Sequence, residues 1–390
     1  MRIVITGGGT GGHVFPGIAV AEALVRHAPD TEILFVGGGK GIEATVVPRE
    51  GFPFVPIPAR GLLGKRLLAI PAVGWTTIRG VTASSRILSE FRPDVVFATG
   101  GYVSGPVALA ARLLRIPLVL QEQNSMPGMT NRFLSRFAKE VFINFPAARK
   151  HFPKRGHLKL SGSPIRGDVL NGEGSRAIRA LRLSESRLTV LIMGGSQGAH
   201  SINRAAVSMV RRLRRRRDIQ FIIQTGRRDH RRVAQKLRHF GDSVCIRPFI
   251  QNMGDVYALA DLVIARAGAM SLAEITACGK ASILIPFPYA THNHQEVNAS
   301  ALVDVGASQM ILDRDLTGEH LASRVVKLID TPSKLREMSN NAISIARPDA
   351  ADKIAQALLR YQEGVIPPAE GGVKPRRRNV QRSGRKSARG

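Results

Sequence analysis

The stretch IVITGGGTGGHVFPG, residues 3–17, joins an apolar run to a glycine-rich turn and then to a helical pattern. The same order returns about half a chain later in VLIMGGSQGAH, residues 190–200. A strand, a glycine turn and a helix start in this order direct backbone N–H groups and the helix dipole toward a phosphate. The two stretches therefore predict two similar α/β domains with an anionic ligand between them.

The composition is that of a soluble globular protein of 390 residues, with 44% hydrophobic and 22% charged residues. Such a chain can form two domains, each with its own core. No apolar stretch is long enough to span a bilayer, and the N-terminus leads directly into a strand, so we expect neither signal peptide nor membrane anchor. Cys245 and Cys278 lack the spacing of a disulfide framework or a zinc site. The cytoplasm is the expected compartment.

The formal net charge of +28 indicates an anionic partner. Residues 374–390 carry eight Lys or Arg and no acid, and we expect a basic disordered tail over 364–390. The arginines of 211–217 are interpreted as a solvated cluster at a helix end. For the tail, an anionic membrane surface is favoured over nucleic acid, because the chain lacks RNP-type aromatic motifs and zinc-finger spacing.

Apolar strand patterns alternate with helical patterns, which is typical of parallel sheets covered by helices on both faces. We expect an α/β fold with two similar domains, residues 1–165 and 166–346, and a helix over 347–363 that packs back on the first. The predicted strands are 2–6, 32–36, 54–57, 94–98, 117–121 and 140–143 in the first half, and 188–193, 219–224, 243–247, 261–264 and 282–285 in the second.

Residues 61–80 mix apolar side chains, including Trp75, with Lys65, Arg66 and Arg79. Two interpretations stay open. The segment is either a buried loop and helix start, or a patch whose apolar side chains enter a lipid surface while the cations contact anionic headgroups.

The first turn, Gly7-x-Gly9-x-x-Gly12, satisfies the dinucleotide fingerprint, which also requires an acid at the end of the second strand. Here that strand, Ile33–Val36, runs into Gly37-Gly38-Gly39 instead. A nicotinamide cofactor is therefore not expected, and the loop is predicted to receive a different phosphate.

Several longer motifs lie in register with the two turns: GGTGGHVFPG at 8–17, GGYVSGP at 100–106, EQN at 122–124, GGSQGA at 194–199 and RAGAMSLAE at 266–274. In this order and spacing, over about residues 1–362, the chain resembles the MurG family of bacterial peptidoglycan glycosyltransferases. The resemblance implies a GT-B fold, with the site in a cleft between two Rossmann-like domains.

The reaction that the resemblance implies is an inverting transfer of GlcNAc from UDP-GlcNAc to lipid I (undecaprenyl-pyrophosphoryl-MurNAc-pentapeptide), giving lipid II. It also implies a peripheral enzyme at the cytoplasmic face of the inner membrane. The expected partners are UDP-GlcNAc, lipid I, the anionic membrane surface and the cell-wall and division machinery, with no cofactor, metal or nucleic acid. Another UDP-sugar-dependent lipid transferase and a non-catalytic basic binding protein remain alternatives.

In the family, the second domain holds the nucleotide sugar. Glu274 matches the acid that grips the uridine ribose, since a carboxylate can accept hydrogen bonds from both hydroxyls of the diol. Ser196 matches the loop that holds the diphosphate, and Arg166 matches an arginine that contacts the donor. The helix start that faces these groups consists of Ala269, Met270, Ser271, Leu272 and Ala273.

Three further positions match the family's donor contacts. Ile250 matches the residue whose backbone reads the uracil edge, and Gln295 and Asn124 match amides that contact GlcNAc hydroxyls. On the acceptor side, Thr10, Gly11 and Gly12 are expected to serve the acceptor pyrophosphate as well as the donor sugar.

The general base is left open between two residues. His13 has an unperturbed pKa near 6.5, which leaves a neutral imidazole available at cytoplasmic pH. Glu122 is the alternative, because a carboxylate in the cleft could accept the same proton.

Two patterns resemble metal sites. Asp313-Arg314-Asp315 spells DxD, but a helix follows, and we expect helix capping instead. His292 and His294 form a pair without a third ligand nearby, and His294 departs from the glutamine of some relatives. We therefore expect the leaving UDP to be stabilised by helix N-termini, backbone N–H groups and Arg166.

Overall fold

The computed structural model describes residues 1–61, 70–153 and 157–363. The predicted basic tail, 364–390, and residues 62–69 of the mixed segment 61–80 lie outside these residues. The described chain forms two sheets whose strand pairs are all parallel, so the α/β prediction is confirmed.

The first sheet has seven strands in the order β3-β2-β1-β4-β5-β6-β7. The strands are β1 (Arg2–Gly7), β2 (Glu32–Gly38), β3 (Phe54–Ile57), β4 (Val95–Gly100), β5 (Leu118–Glu122), β6 (Glu140–Ile143) and β7 (Leu158–Leu160). The helices along this part of the chain are α1 (Gly11–His27), α2 (Glu43–Arg49), α3 (Ile70–Phe91), α4 (Ser104–Leu113) and α5 (Met129–Leu134).

The second sheet has six strands in the order β10-β9-β8-β11-β12-β13. They are β8 (Leu188–Met193), β9 (Ile219–Gln224), β10 (Val244–Arg247), β11 (Leu262–Ala265), β12 (Ala281–Leu284) and β13 (Ser308–Met310). The accompanying helices are α6 (Gly167–Leu170), α7 (Gly174–Leu181), α8 (His200–Arg212), α9 (Arg227–Leu237), α10 (Met253–Leu259), α11 (Ala269–Ala277), α12 (His294–Val303), α13 (Gly318–Ile329) and α14 (Pro332–Ile345).

Each sheet is buried on both faces, which explains why its strands are short continuous apolar runs. Successive side chains of a strand point to opposite faces. Accordingly, Ile3 and Ile5 lie in one core cluster with α1, whereas Val4 lies in another with α4. Every predicted strand is present within two residues. Strands β7 and β13 were not predicted, because these three-residue strands at the sheet edges lack such a run.

The topology explains where the glycine turns lie. In each sheet the central strand, β1 or β8, pairs with a neighbour on either side, and the chain order reverses between them. Ligands of doubly wound sheets bind at this switch point, outside the carboxyl ends of the strands. Both glycine turns follow a central strand and therefore lie at the switch points.

The chain returns to the first sheet after α14. Helix α15 (Ala350–Leu359) packs against α1, and Ile354 and Leu358 are fully buried in the cluster around β1. Asp352 accepts hydrogen bonds from Arg26 Nη2 at 2.9 Å and from His27 Nε2 at 2.8 Å. The C-terminal helix thus completes the core of the first sheet.

We predict that Ile354→Ala lowers the free energy of unfolding by about 2–5 kcal/mol, because it leaves a cavity between α15 and α1. Gln356→Ala, on the exposed side of the same helix, is the matched control and changes it by less than about 0.5 kcal/mol. Urea unfolding followed by circular dichroism measures both. Equal effects would contradict the packing of α15 as a core helix.

Candidate active site

A buried carboxyl group accepts hydrogen bonds from the backbone of the first glycine turn. Glu43, 1% exposed, accepts hydrogen bonds from Gly9 N at 3.0 Å and from Gly38 N at 3.2 Å. Gly9 has a φ of +84°, and a Cβ on Gly8 would lie 2.4 Å from Glu43 Oε1. Only glycine therefore allows the loop to approach the carboxylate this closely. Glu43 was not predicted as a site residue, because it lies 34 residues after Gly9 and no local pattern marks it.

The loop continues into α1 through the predicted residues Thr10, Gly11 and Gly12. Thr10 is the N-cap in extended conformation, and its carbonyl accepts from His13 N at 3.1 Å. The first N–H groups of a helix have no intrahelical partners and carry the positive end of the dipole. These three residues thus form a place where an anion can be bound.

Within the described residues, one ring nitrogen of His13, Nδ1, has a hydrogen-bond partner, and Nε2 has none. Its Nδ1 lies 3.1 Å from the Thr99 carbonyl oxygen, which can only accept, so the proton is on Nδ1 and Nε2 carries the lone pair. Burial lowers the pKa of His13, although the hydrogen bond to Thr99, the nearby Gln123 side chain and the charge of Glu43 oppose the decrease. The arrangement can accept a proton at neutral pH.

Both carboxylate oxygens of Glu122, the other candidate base, already accept hydrogen bonds. Oε1 accepts from Asn124 N at 2.9 Å and from Asn124 Nδ2 at 3.2 Å. Oε2 accepts from Gly128 N at 3.2 Å and from Asn131 Nδ2 at 2.9 Å. Burial raises the pKa of Glu122, and these hydrogen bonds act against that rise. The carboxylate, 1% exposed, orders the loop of residues 123–128.

The second glycine turn is ordered by an amide. Gln224, 3% exposed at the end of β9, donates to the Gly195 carbonyl at 3.2 Å and accepts from Ile250 N at 2.9 Å. Gly198, with φ of +77°, lies against the Thr225 carbonyl, where a Cβ would collide. Ser196 is exposed at the tip of the loop. The N–H of Ile250 is thus already bonded, and its carbonyl oxygen is the backbone group that remains for a ligand.

Helix α11 brings the predicted residues Ala269, Met270, Ser271, Leu272 and Ala273 to one helix start, with Gly268 as N-cap. One turn further, Glu274 accepts a hydrogen bond from the Tyr257 hydroxyl at 3.1 Å. Burial raises the pKa of Glu274 to about 7, while Tyr257 and the charge of Arg166 oppose the rise. The helix start and this carboxyl group therefore share one site.

Arg166 lies between the halves of the chain. Its guanidinium is 3.2 Å from Asp168 and 3.5 Å from Glu50, and it stacks over the Phe15 ring at 5.1 Å. Because Phe15 belongs to α1, Arg166 joins the start of the second half to the helix that follows the first glycine turn. Its charge also lowers the pKa of Glu274.

Gln295 and Asn124 lie in opposite halves. Gln295, in the first turn of α12, accepts from Phe287 N at 3.0 Å. Next to it, His294 lies close enough to His13 in the first half to lower the pKa of His13 electrostatically. Asn124 Oδ1 in turn faces Asn298 Nδ2 of α12 at 3.5 Å. The N-terminal part of α12 is therefore the region of the second half that approaches the first glycine turn and the loop 123–128.

The prediction that Asp313-Arg314-Asp315 caps the following helix is wrong. Thr317 caps α13, because its Oγ1 accepts from His320 N at 3.0 Å. Asp313 instead pairs with Arg266 and accepts from Ser201 Oγ at 2.7 Å. Its carboxylate therefore connects Arg266, the first residue after β11, with Ser201 of α8. Within residues 1–61, 70–153 and 157–363, no group of three or more His, Cys, Asp and Glu is arranged to hold a metal ion.

We predict that Glu274→Gln stabilises the protein at high pH. The folded protein keeps the Glu274 proton to a pH of about 7, whereas the unfolded chain loses it near 4.5. This group's contribution is therefore full below pH 4.5 and is lost as the pH rises through 7. A shift of this size corresponds to about 3 kcal/mol, so the free energy of unfolding of the variant exceeds that of the wild type by up to about that amount at pH 8.

Urea unfolding at pH 5 and pH 8 measures the difference, which grows with pH. The control is Glu185→Gln at an exposed position, for which the difference stays constant. A Glu274→Gln difference that does not change with pH would contradict the raised pKa.

Comparisons with known proteins identify the family. Residues 3–143 match the glycosyltransferase family 28 N-terminal domain and residues 189–354 its C-terminal domain. A UDP-N-acetylglucosamine–N-acetylmuramyl-(pentapeptide) pyrophosphoryl-undecaprenol N-acetylglucosamine transferase of Desulfitobacterium hafniense is 43% identical over 364 residues, covering 92% of this chain and 99% of the relative. The enzyme of the same name from Thermodesulfovibrio yellowstonii is 43% identical over 366 residues, again covering 92% and 99%.

Solved structures agree on the fold. The crystal structure of Acinetobacter baumannii MurG matches with a TM-score of 0.72 and 28% identity, covering 92% of this chain and 99% of that one. A UDP-GlcNAc 2-epimerase from Neisseria meningitidis, solved with UDP-GlcNAc, matches with a TM-score of 0.66 at 15% identity, covering 92% and 100%, and shows the fold alone. The predicted GT-B fold and the predicted resemblance are both confirmed, and the chain belongs to the MurG family of glycosyltransferases.

Proposed function

We propose that this protein transfers GlcNAc from UDP-GlcNAc to lipid I and so forms lipid II. The observation that carries the proposal is the 43% identity, over nearly their whole length, to relatives named for this transfer. The two glycine turns, one at the switch point of each sheet, supply the anion-binding loops that such a transfer needs.

We assign the acceptor to a domain of residues 1–165 and the donor to a domain of residues 166–346, with 347–363 completing the first. The strands of the first sheet all precede residue 166, those of the second sheet all follow it, and α15 packs in the core of the first sheet. These observations support the limits.

The donor lies against the second half. Ionised Glu274 accepts from the ribose hydroxyls, while the start of α11 and Ser196 hold the diphosphate. The Ile250 carbonyl faces the uracil edge, and Gln295 and Asn124 contact the sugar hydroxyls. Arg166 and the helix start stabilise the charge that develops on UDP as it leaves, since preorganised donors act strongly in a site that excludes water.

His13 takes the proton of the acceptor hydroxyl. The MurNAc 4-oxygen attacks the anomeric carbon of GlcNAc as the bond to UDP breaks, and its proton passes to Nε2. His13 is favoured over Glu122 because both oxygens of Glu122 already accept two N–H bonds each. Thr10, Gly11 and Gly12 receive the acceptor pyrophosphate, which brings the hydroxyl to His13.

We predict that purified protein converts labelled UDP-GlcNAc and a short-chain lipid I analogue to labelled lipid II, with EDTA present and no added metal. His13→Gln lowers kcat by about 10²–10⁴-fold, the usual contribution of a general base. Because burial lowers the pKa of His13, kcat at saturating UDP-GlcNAc falls only below about pH 6.5 as the base is protonated, whereas ionisation of Glu274 near pH 7 changes the KM for the donor.

The outcomes separate the alternatives. Transfer of label by the wild type supports the function, and its absence overturns it. Loss of activity with EDTA that only Mg²⁺ restores would overturn the metal-free assignment. A His13→Gln variant with wild-type kcat would exclude His13 as the base, and Glu122→Gln would then be measured for the same loss.

The same family membership supports a peripheral position at the anionic cytoplasmic surface of the membrane, where the acceptor lipid and the cell-wall and division machinery lie. Along α3, Trp75 and Ile78 are 64% and 59% exposed and share one helix face beside Arg79. Across the described parts of the chain, every helix is too short or too polar to cross a bilayer. Two exposed apolar side chains with a cation suit contact with headgroups.

We predict that the double variant Trp75→Glu, Ile78→Glu binds phosphatidylglycerol-containing vesicles at least about tenfold more weakly. Two apolar side chains that would enter the lipid surface are replaced by negative charges. The matched control is Ile343→Glu, which changes an equally exposed side chain of α14. Vesicle sedimentation measures binding. Equal losses in both variants would show a general charge effect and contradict contact through α3.

A further inference from the structure

A single buried amide joins the two halves of the protein. Asn298 of α12, in the second half, is fully buried. Its Oδ1 accepts from Ser125 N at 3.0 Å and from Ser125 Oγ at 2.6 Å, both in the first half. Its Nδ2 faces the Ala267 carbonyl at 3.3 Å and Asn124 Oδ1 at 3.5 Å. All four hydrogen-bonding positions of the amide are used.

The orientation of the amide is determined by its partners. A backbone N–H can only donate and a backbone carbonyl can only accept, so Ser125 N requires oxygen on one side and Ala267 requires nitrogen on the other. Asp at this position could not donate to the carbonyl, and Leu could make neither contact. The position therefore requires both a donor and an acceptor.

The contacts of Asn298 lie beside functional elements on both sides. Ala267 immediately precedes Gly268, the N-cap of α11, whose first turn we assign to the donor. Asn124 and Ser125 begin the loop that Glu122 orders from within the first half. The loop is thus held by Glu122 on one side and by Asn298 on the other.

We propose that Asn298 is a positioning residue that couples the two halves by holding Asn124 in register with the start of α11. The inference rests on the proposed function, because it deepens the role assigned to Asn124. Asn298 acts through Asn124 and the loop behind it, and UDP bound to the second half alone does not depend on it.

The test compares two variants that differ in what they remove. Asn298→Asp keeps acceptance from Ser125 but loses both N–H donors, and it lowers kcat for transfer by about 10- to 100-fold. Ser125→Ala removes one hydroxyl on the first half only and lowers kcat by about three- to tenfold. The Kd for UDP, measured by calorimetry, changes by less than about twofold in both, because neither change touches groups assigned to the nucleotide.

The matched control is Asn341→Asp, which changes another amide of the second half that donates to a carbonyl, that of Gly306. Its kcat stays at the wild-type value, and thermal melting of each variant shows whether it is folded. If Asn298→Asp does not fold, Ser125→Ala carries the same test.

The decisive measurement is made in the Asn124→Ala background. If Asn298 acts through Asn124, the effect of Asn298→Asp or Ser125→Ala on kcat in this background is less than about a third of its effect in the wild type. The reason is that the effects of interacting residues are not additive. Three results would each overturn the inference. The first is an equal loss of kcat in both backgrounds, and the second is a wild-type kcat in Asn298→Asp. The third is a UDP affinity that falls as much as kcat. A wild type that transfers no sugar overturns the proposed function instead, so the two failures are distinguishable.

Discussion

Backbone N–H groups that follow parallel strands must find acceptors, and in this protein buried side chains supply them. A loop that leaves the carboxyl edge of a sheet loses the ladder of hydrogen bonds, and an unpaired buried N–H costs about 1–3 kcal/mol. Glu43 accepts from two such groups and Glu122 from Gly128 N and Asn124 N, while Gln224 accepts from Ile250 N. These three side chains order the loops that follow β1 and β5 in the first sheet and β10 in the second.

This use of carboxylates limits their chemistry. A carboxylate that receives two N–H bonds at each oxygen, as Glu122 does, has no lone pair directed at a substrate. His13 differs because one nitrogen is bonded to a carbonyl and the other is not required by the loop. The same polar packing that orders the site thus separates the groups that hold loops from the group that can take a proton.

Much of the fold could be predicted from local pattern, and the loop-holding residues could not. The glycine turns and eleven strands have signatures within a few residues, so the parallel sheets and the switch points followed from them. Glu43, Gln224 and Asn298 act on partners 34, 26 and 173 residues away, and no local spacing indicates such contacts. The cap of α13 was misassigned for a related reason: Asp313 has the right type for a cap, but its long-range partner Arg266 takes the carboxylate.

The chemistry of the contact between the halves suits a cleft that must admit a donor and release UDP. An apolar seam would expose hydrophobic surface each time the cleft opened, at about 25 cal/mol per Å². Asn298 and Ser125 can exchange their hydrogen bonds for bonds to water, so separation costs only the small net difference between the two sets. Arg166, stacked on Phe15 and paired with Glu50, offers the same exchange at a second contact between the halves. Polar contacts therefore allow the two halves to contact each other in one defined register and still to separate.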